Sequence, residues 1–213
     1  MGETSVADER VGRSKSKVLE AAGELLLERG YAGVSVDEIT RRSGVAKTTI
    51  YRHWPTRTSL MREACAAIGT PLETPDLGNL KSDLVALAQN LAKALTEERW
   101  PSVLPSVIDA AERDPDIAEM YAELQRGYSD PCDTILRRAL ARGELHKDTD
   151  IAAWIAALTG PLFFRRWFSR EPLTPEFAKR IVEQLCSAAP GARGERGHSS
   201  GPMARSAVRR IRR

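Results

Sequence analysis

Val34–Leu60 reads VSVDEITRRSGVAKTTIYRHWPTRTSL, and its spacing decides the fold. Ser35 stands three residues before Glu38, the capping-box arrangement in which the hydroxyl takes the Glu38 N–H and the Glu38 carboxylate reaches back. From that start Val36 and Ile39 fall on one helical face and Arg41 and Arg42 on the other. Gly44 closes this first helix, because the position after a helix favours the left-handed backbone that glycine adopts without strain. Lys47–Trp54 supplies a second helix, with Lys47, Thr48 and Thr49 at its leading end and Ile50 and Trp54, four apart, pointing inward. Thr56 is the N-cap of a further helix, Arg57–Ile68, which stops before Gly69-Thr70-Pro71. Two short helices about a glycine turn have the layout of a helix-turn-helix, whose second helix lies in the DNA major groove.

The pattern stays helical on both sides of this stretch. In Ser14–Gly30, Val18, Ala22, Leu25 and Leu26 keep an amphipathic rhythm, and Gly30 ends it. Thr70–Asn79, with two prolines and a glycine, reads as a linker. Leu80–Glu98 carries Leu84, Leu87, Leu91 and Leu95 on one face, and Val103–Arg113 is a shorter helix. Asp116–Arg142 is a long helical run that Pro131 should kink or break, since proline lacks the N–H and clashes with the preceding turn. Thr149–Ser169 is apolar all round, which predicts burial on several sides. Thr174 and Pro175 open a last helix that runs to about Ala188. No segment alternates with period two, so the fold class is all-α, without a sheet. Residues 190–213 hold glycine, serine and arginine with almost nothing to bury, a composition that predicts disorder. This tail either adds phosphate attraction or merely solvates the end of the chain. The reading is therefore a head at 11–69, a helical body at 70–189 and an Arg-rich tail at 190–213.

Charge is divided along the same lines. Residues 10–69 hold eleven Lys/Arg against six Asp/Glu, net +5, whereas residues 70–189 hold fourteen against nineteen, net −5. A basic head on an acidic body fits a protein that places only the head on nucleic acid. Cys65, Cys132 and Cys186 form no C-x-x-C pair and read as reduced, structural thiols in a cytoplasmic setting. The histidines, His53, His146 and His198, have no zinc spacing, so no metal and no cofactor is expected. The first residues carry no apolar run for a secretory signal, and the apolar stretch Ile151–Phe164 is too short to span a bilayer. Nucleophile-elbow, phosphate-loop, dinucleotide and H-E-x-x-H zinc motifs are absent, which argues against an enzyme. A helical adaptor that binds protein and not DNA is the other alternative, and a salt-sensitive shift with DNA separates the two.

Tyr31–Ile39 (YAGVSVDEI) followed by Ser43–Trp54 (SGVAKTTIYRHW) resembles the amino-terminal signature of the TetR family of transcriptional regulators. The resemblance covers about Val11 to Ile68. Trp54 stands where the family usually has Phe, and Pro55-Thr56 precede Arg57 where a basic and a polar residue are usual. The resemblance implies a DNA surface made of Ser35, Thr40, Lys47, Thr48, Thr49, Tyr51, Arg52, His53 and Arg57. Lys47, Thr48 and Thr49 are expected to read bases, since lysine donates to guanine and threonine offers a hydroxyl or a methyl. Tyr51, His53 and Arg57 are expected to hold phosphates and set the register.

The resemblance also implies a carboxy-terminal domain that binds a small-molecule effector and dimerises, so that two recognition helices meet a pseudo-palindromic operator in double-stranded DNA. Repression is the family default. Trp100, Tyr121, Leu124, Tyr128, Trp154 and Phe163, with Met120 nearby, are candidates for lining an effector cavity, with plain core as the alternative. Leu158, Leu162, Phe164, Trp167, Ile181 and Leu185 are the candidates for a homodimer face. No membrane contact is expected.

Overall fold

The computed structural model describes residues 3–188, with side chains from residue 11 onward. Among these residues nine α-helices and one short π-helix account for the regular structure: α1 (Glu3–Arg29), α2 (Val36–Ser43), α3 (Lys47–His53), α4 (Arg57–Ile68), α5 (Leu80–Glu97), α6 (Trp100–Ala111), α7 (Pro115–Ala141), α8 (Ile151–Phe164) and α9 (Pro175–Ala188), with the π-helix at Arg165–Ser169. The reading of residues 190–213 as a disordered tail lies outside the described residues.

Helix boundaries fall largely where capping chemistry puts them. Gly30 and Gly44 both take φ of +67° at helix ends. Thr56 and Ser59 cap α4 reciprocally, Asn79 accepts the Ser82 N–H ahead of α5, and Asp150 accepts the Ala153 N–H ahead of α8. Three elements depart from the sequence reading. First, α1 begins at Glu3, eleven positions before Ser14. Apolar periodicity marks only the part of a helix that has a core to face, and Val18 is the first buried side chain among the described residues. Second, α7 runs unbroken through Pro131. Pro131, Cys132, Ile135 and Leu136 are buried on one side of it and Ile117 and Met120 further up, so packing along its length outweighs the missing hydrogen bond. Third, α8 is not buried on several sides: Leu158 and Leu162 are its buried residues.

The interior is two apolar clusters, and the first of them crosses the linker. Val18, Leu25, Leu26, Ile39, Ile50, Trp54, Leu60 and Met61 of the head are continuous with Trp100, Val103, Val107, Ile117 and Met120 from α6 and the start of α7. The second cluster joins α5, the later half of α7, α8 and α9 through Leu84, Leu87, Leu91, Ile135, Leu136, Leu158, Leu162 and Val182. The head therefore borrows α6 and part of α7 as its floor.

The linker itself is fastened. Arg138 donates to the Pro75 carbonyl at 3.2 Å and lies 3.4 Å from Asp76. Leu77 N–H donates to Asp83 Oδ1 at 2.5 Å, and Leu80 N–H donates to Glu144 Oε2 at 2.6 Å. Asp83 is fully buried, a costly place for a carboxylate unless it is paired. The Arg142 guanidinium, 3.5 Å away and also bonded to Glu144, supplies the charge. Burial alone would raise the Glu144 carboxyl, but the Leu80 N–H and Arg142 outweigh it and hold it below the usual carboxylate range.

Candidate nucleic-acid interface

Ser35 accepts the Glu38 N–H at 3.2 Å and starts α2, as the sequence predicts. The other half of the box does not form. The Glu38 carboxylate turns instead to Arg41, at 2.5 and 3.2 Å, and to Arg29, at 3.2 Å. Two guanidiniums are stronger donors than one amide, and together they hold this carboxyl below its ordinary value, the hydrogen bond from Arg41 being the larger cause. Behind it Arg42 forks onto Glu28 at 2.7 and 2.9 Å and approaches Glu24 at 3.6 Å, tying α2 to α1. Gly44 N–H then donates to the Thr40 carbonyl at 3.0 Å and turns the chain into α3.

Ile50 and Trp54 anchor α3 from below. Trp54 closes the helix as its C-cap, donates from Nε1 to Glu63 on α4 at 2.6 Å, and carries the Lys15 ammonium 5.4 Å over its ring. One indole thus fixes α3 against α4 and α1. Glu63 was not legible as a partner: nothing in the sequence marks a carboxylate nine residues on as the acceptor. The leading end of α3 has neither a side-chain cap nor an acid in its first turn. Local preference would place an acid there, and the chain places Lys47.

The candidate DNA residues divide by where these anchors leave them. Ser35, Lys47, Thr48, Tyr51 and Arg52 are exposed together on the outside of the α2–α3 unit, and Thr40 and Thr49 are half-buried beside them. Thr40 donates its hydroxyl to the Val36 carbonyl at 2.8 Å. Lys47 Nζ lies 2.7 Å from Asp37 Oδ1, and this carboxylate holds the ammonium above its ordinary pKa.

Two of the expected phosphate ligands are engaged or half-buried within the protomer. His53 is half-buried, edge-on to Trp54 at 5.8 Å, and its Nε2 is buried without a hydrogen-bond partner. Arg57 turns inward. Its Nη2 donates to the Tyr31 carbonyl at 2.6 Å, its Nε to the Val34 carbonyl at 3.1 Å, and its guanidinium lies 4.7 Å over the Tyr31 ring. The α1–α2 turn leaves those carbonyls without helical partners, and a fork with fixed geometry satisfies both. Arg57 is a pin that sets the start of α2.

The same turn is held from the body. Tyr31 N–H donates to Ser106 Oγ on α6 at 3.0 Å, and Gly30 packs so close that an added Cβ would sit 2.9 Å from Ser106 Cβ. At its amino-terminal end α6 meets two small adjoining cavities that share Trp100 and Tyr128. A crevice of about 20 Å³ adds Leu91, Leu95, Leu104 and Phe163. An opening of about 210 Å³ adds Cys65, Gly69, Pro71, Leu72 and Leu124. Gly69 ends α4 here, and a Cβ on it would lie 2.7 Å from the Tyr128 hydroxyl, whose pKa burial pushes up. Of the expected lining, Trp100, Leu124, Tyr128 and Phe163 meet. Tyr121 packs on the first cluster with its hydroxyl taken by Gln125, Met120 is buried core, and Trp154 packs on the second cluster.

The expected dimer residues divide too. Leu158, Leu162 and Ile181 are at most 5% exposed and belong to the protomer's own core. Trp167 is half-buried, edge-on to Phe163, and Leu185 packs on the second cluster. What α8 leaves outside is Ala152, Ala153, Ala156, Ala157 and Phe164, with Phe168 of the π-helix stacked on Phe164 at 5.8 Å. Among the described residues no helix is long and apolar enough to cross a membrane.

Fold and site together define a helix-turn-helix transcriptional regulator with an all-helical carboxy-terminal domain. Residues 18–64 match the family described as bacterial regulatory proteins, tetR family, and residues 74–185 match the tetracyclin repressor-like C-terminal domain. The chain belongs to the TetR family and is a DNA-binding transcriptional regulator. It is 31% identical to the HTH-type transcriptional regulator YdeS of Bacillus subtilis, over 78% of this chain and 84% of that one. It is 30% identical to the DNA-binding transcriptional repressor TetR of Mycobacteroides abscessus, over 85% of this chain and 98% of that one. The crystal structure of the TetR family transcription regulator SCO0332 superposes with a TM-score of 0.66 at 30% identity, over 83% of this chain and 98% of that one.

Proposed function

We propose that this regulator is a cytoplasmic homodimeric repressor that holds a pseudo-palindromic operator and leaves it when a small, largely apolar molecule enters the body. It acts by binding and not by catalysis. The observation that carries the reading is α6, which lines the shared Trp100–Tyr128 cavities with its amino-terminal end and holds the Tyr31 amide through Ser106 at its middle. Repression is supported by the printed role of the Mycobacteroides abscessus relative. Dimerisation is supported by the apolar outer face of α8, which water covers in a single protomer.

Ordinary ligand pockets have volumes of about 300–1,000 Å³. The larger of the two cavities, at about 210 Å³, is smaller than this, so an effector must part α4, α6 and α7 to enter. Parting them moves Ser106 and the α1–α2 turn, and with it the spacing of the two recognition helices. An effector shifts the equilibrium only by its difference in affinity for the two arrangements. Coupling of about 1–3 kcal/mol weakens operator binding roughly 5- to 150-fold, and operator weakens effector binding by the same factor.

Calorimetry of effector candidates, with and without operator DNA, tests this. Equal affinity in the two titrations would leave a constitutive DNA binder. Binding to the DNA upstream of its own gene that is insensitive to salt would remove the DNA reading as well.

A further inference from the structure

We propose that Asp37 and Lys47 act as one base-reading pair that selects a G·C base pair in a fixed orientation. The proposal rests on the assignment of α3 as the helix that enters the major groove. It begins from a feature that phosphate attraction does not explain: an exposed acid bonded to the first residue of α3. The other acids around α2 are engaged on its flank, Glu38 by Arg29 and Arg41, and Glu24 and Glu28 by Arg42. Asp37 is different. It stands in the first turn of α2, its side chain is 77% exposed, and it meets Lys47 across the turn at 2.7 Å. An exposed carboxylate beside a phosphate backbone weakens attraction at every sequence, so it raises selectivity only where a base edge offers it a donor.

In the major groove guanine shows two acceptors, N7 and O6, and cytosine shows the N4 amino donor. O6 and N4 are hydrogen-bonded to each other, hence about 2.9 Å apart. Lys47 Nζ and Asp37 Oδ1 present a donor and an acceptor 2.7 Å apart. The ammonium can therefore serve O6 and N7 while the carboxylate takes the spare N4 hydrogen. Reversing the base pair brings guanine's acceptors against the carboxylate and the cytosine donor against the ammonium, so both contacts become repulsive. Asp37 also holds Lys47 forward, which lowers the cost of ordering a long side chain. The plain alternative is that Asp37 only complements the dipole of α2, and that role carries no base preference.

The test uses the full chain. Operators are selected from random DNA, and affinities are then measured by fluorescence anisotropy with each base pair of the half-site inverted in turn. The wild-type chain is expected to show one G·C pair whose inversion weakens binding about 5- to 150-fold. Asp37→Ala and Lys47→Ala should each lose most of that ratio at this same base pair and at no other. Asp37→Asn, which gains an amino donor, should tolerate the inverted pair. Asp37 is exposed, so these variants keep the fold. If Asp37→Ala keeps the wild-type preference everywhere and shifts only overall affinity, or the two variants act at different base pairs, the proposal fails. It also fails if the selected half-site holds no such G·C pair. The underlying reading fails by a different result, a wild-type chain that selects no sequence, or Thr48→Ala and Arg52→Ala variants that leave affinity and preference unchanged.

Discussion

Arg57→Ala separates a structural pin from a phosphate ligand. The substitution removes the bonds to the Tyr31 and Val34 carbonyls, at 2.6 and 3.1 Å, and the contact with the Tyr31 ring. Hydrogen bonds to a charged group each contribute about 1.5–3 kcal/mol, and a cation–π contact about 0.5–2 kcal/mol. The three share one guanidinium and do not add, so the expected loss is about 3 kcal/mol. For a domain of about 150–250 residues, 1 kcal/mol moves the melting temperature by roughly 2–4 °C, which gives a fall of roughly 6–12 °C. Arg57→Lys should recover only part of it, because a compact ammonium cannot span two carbonyls as a planar fork does. Calorimetric melting gives the stability, and operator titrations at several salt concentrations give the number of phosphate contacts. Each lost phosphate ion pair lowers the salt slope by about 0.9. The pin predicts a lower melting temperature with an unchanged slope. A slope reduced by about 0.9 at an unchanged melting temperature would refute the inward assignment.

Three further outcomes follow from the packing and the titrating groups. Phe164→Glu, at a side chain 57% exposed, should give a folded monomer by analytical ultracentrifugation, whereas Leu158→Glu, at 1%, should leave the chain unfolded by circular dichroism; a folded Leu158→Glu variant would contradict its place in the core. Glu144 has a lowered pKa in the folded chain, so its contribution is present above the unfolded carboxylate value and is lost as pH falls through the folded one; the difference in stability between wild type and Glu144→Gln should therefore shrink on acidification below about pH 4. Burial pushes the Cys65 and Cys132 thiols up to about 12, so in native protein at pH 8 Cys186 should be the first thiol to react with a disulfide reagent and the other two only on unfolding.

The elements that local chemistry specifies were legible in the chain itself. Ser35, Gly44 and Thr56 fix the ends of α2 and α4 through bonds within three or four residues, and the spacing of Ile50 and Trp54 fixes the inner face of α3. That was enough for the all-α class, the helix-turn-helix and the outward-facing Lys47, Thr48 and Arg52, whereas Thr49 and His53, expected to be exposed with them, are half-buried. What the sequence could not decide was competition between partners far apart in the chain. Arg41, three residues on, is the main competitor for Glu38 and folding adds Arg29, while Arg57 meets the Tyr31 and Val34 carbonyls only once the α1–α2 turn lies beside it. Leu158 and Phe164 are both apolar residues of α8, yet one lies in the core and the other faces water, because α5, α7 and α9 pack on a single side of a helix whose pattern marks no side at all. Pro131 reads as a kink or a break because a helix seen alone has no packing to oppose the lost hydrogen bond, and the packing of α7 rules out the break. Short-range hydrogen bonding is written in neighbouring residues; the choice among long-range partners is made only when burial brings them together and leaves each polar group one best answer.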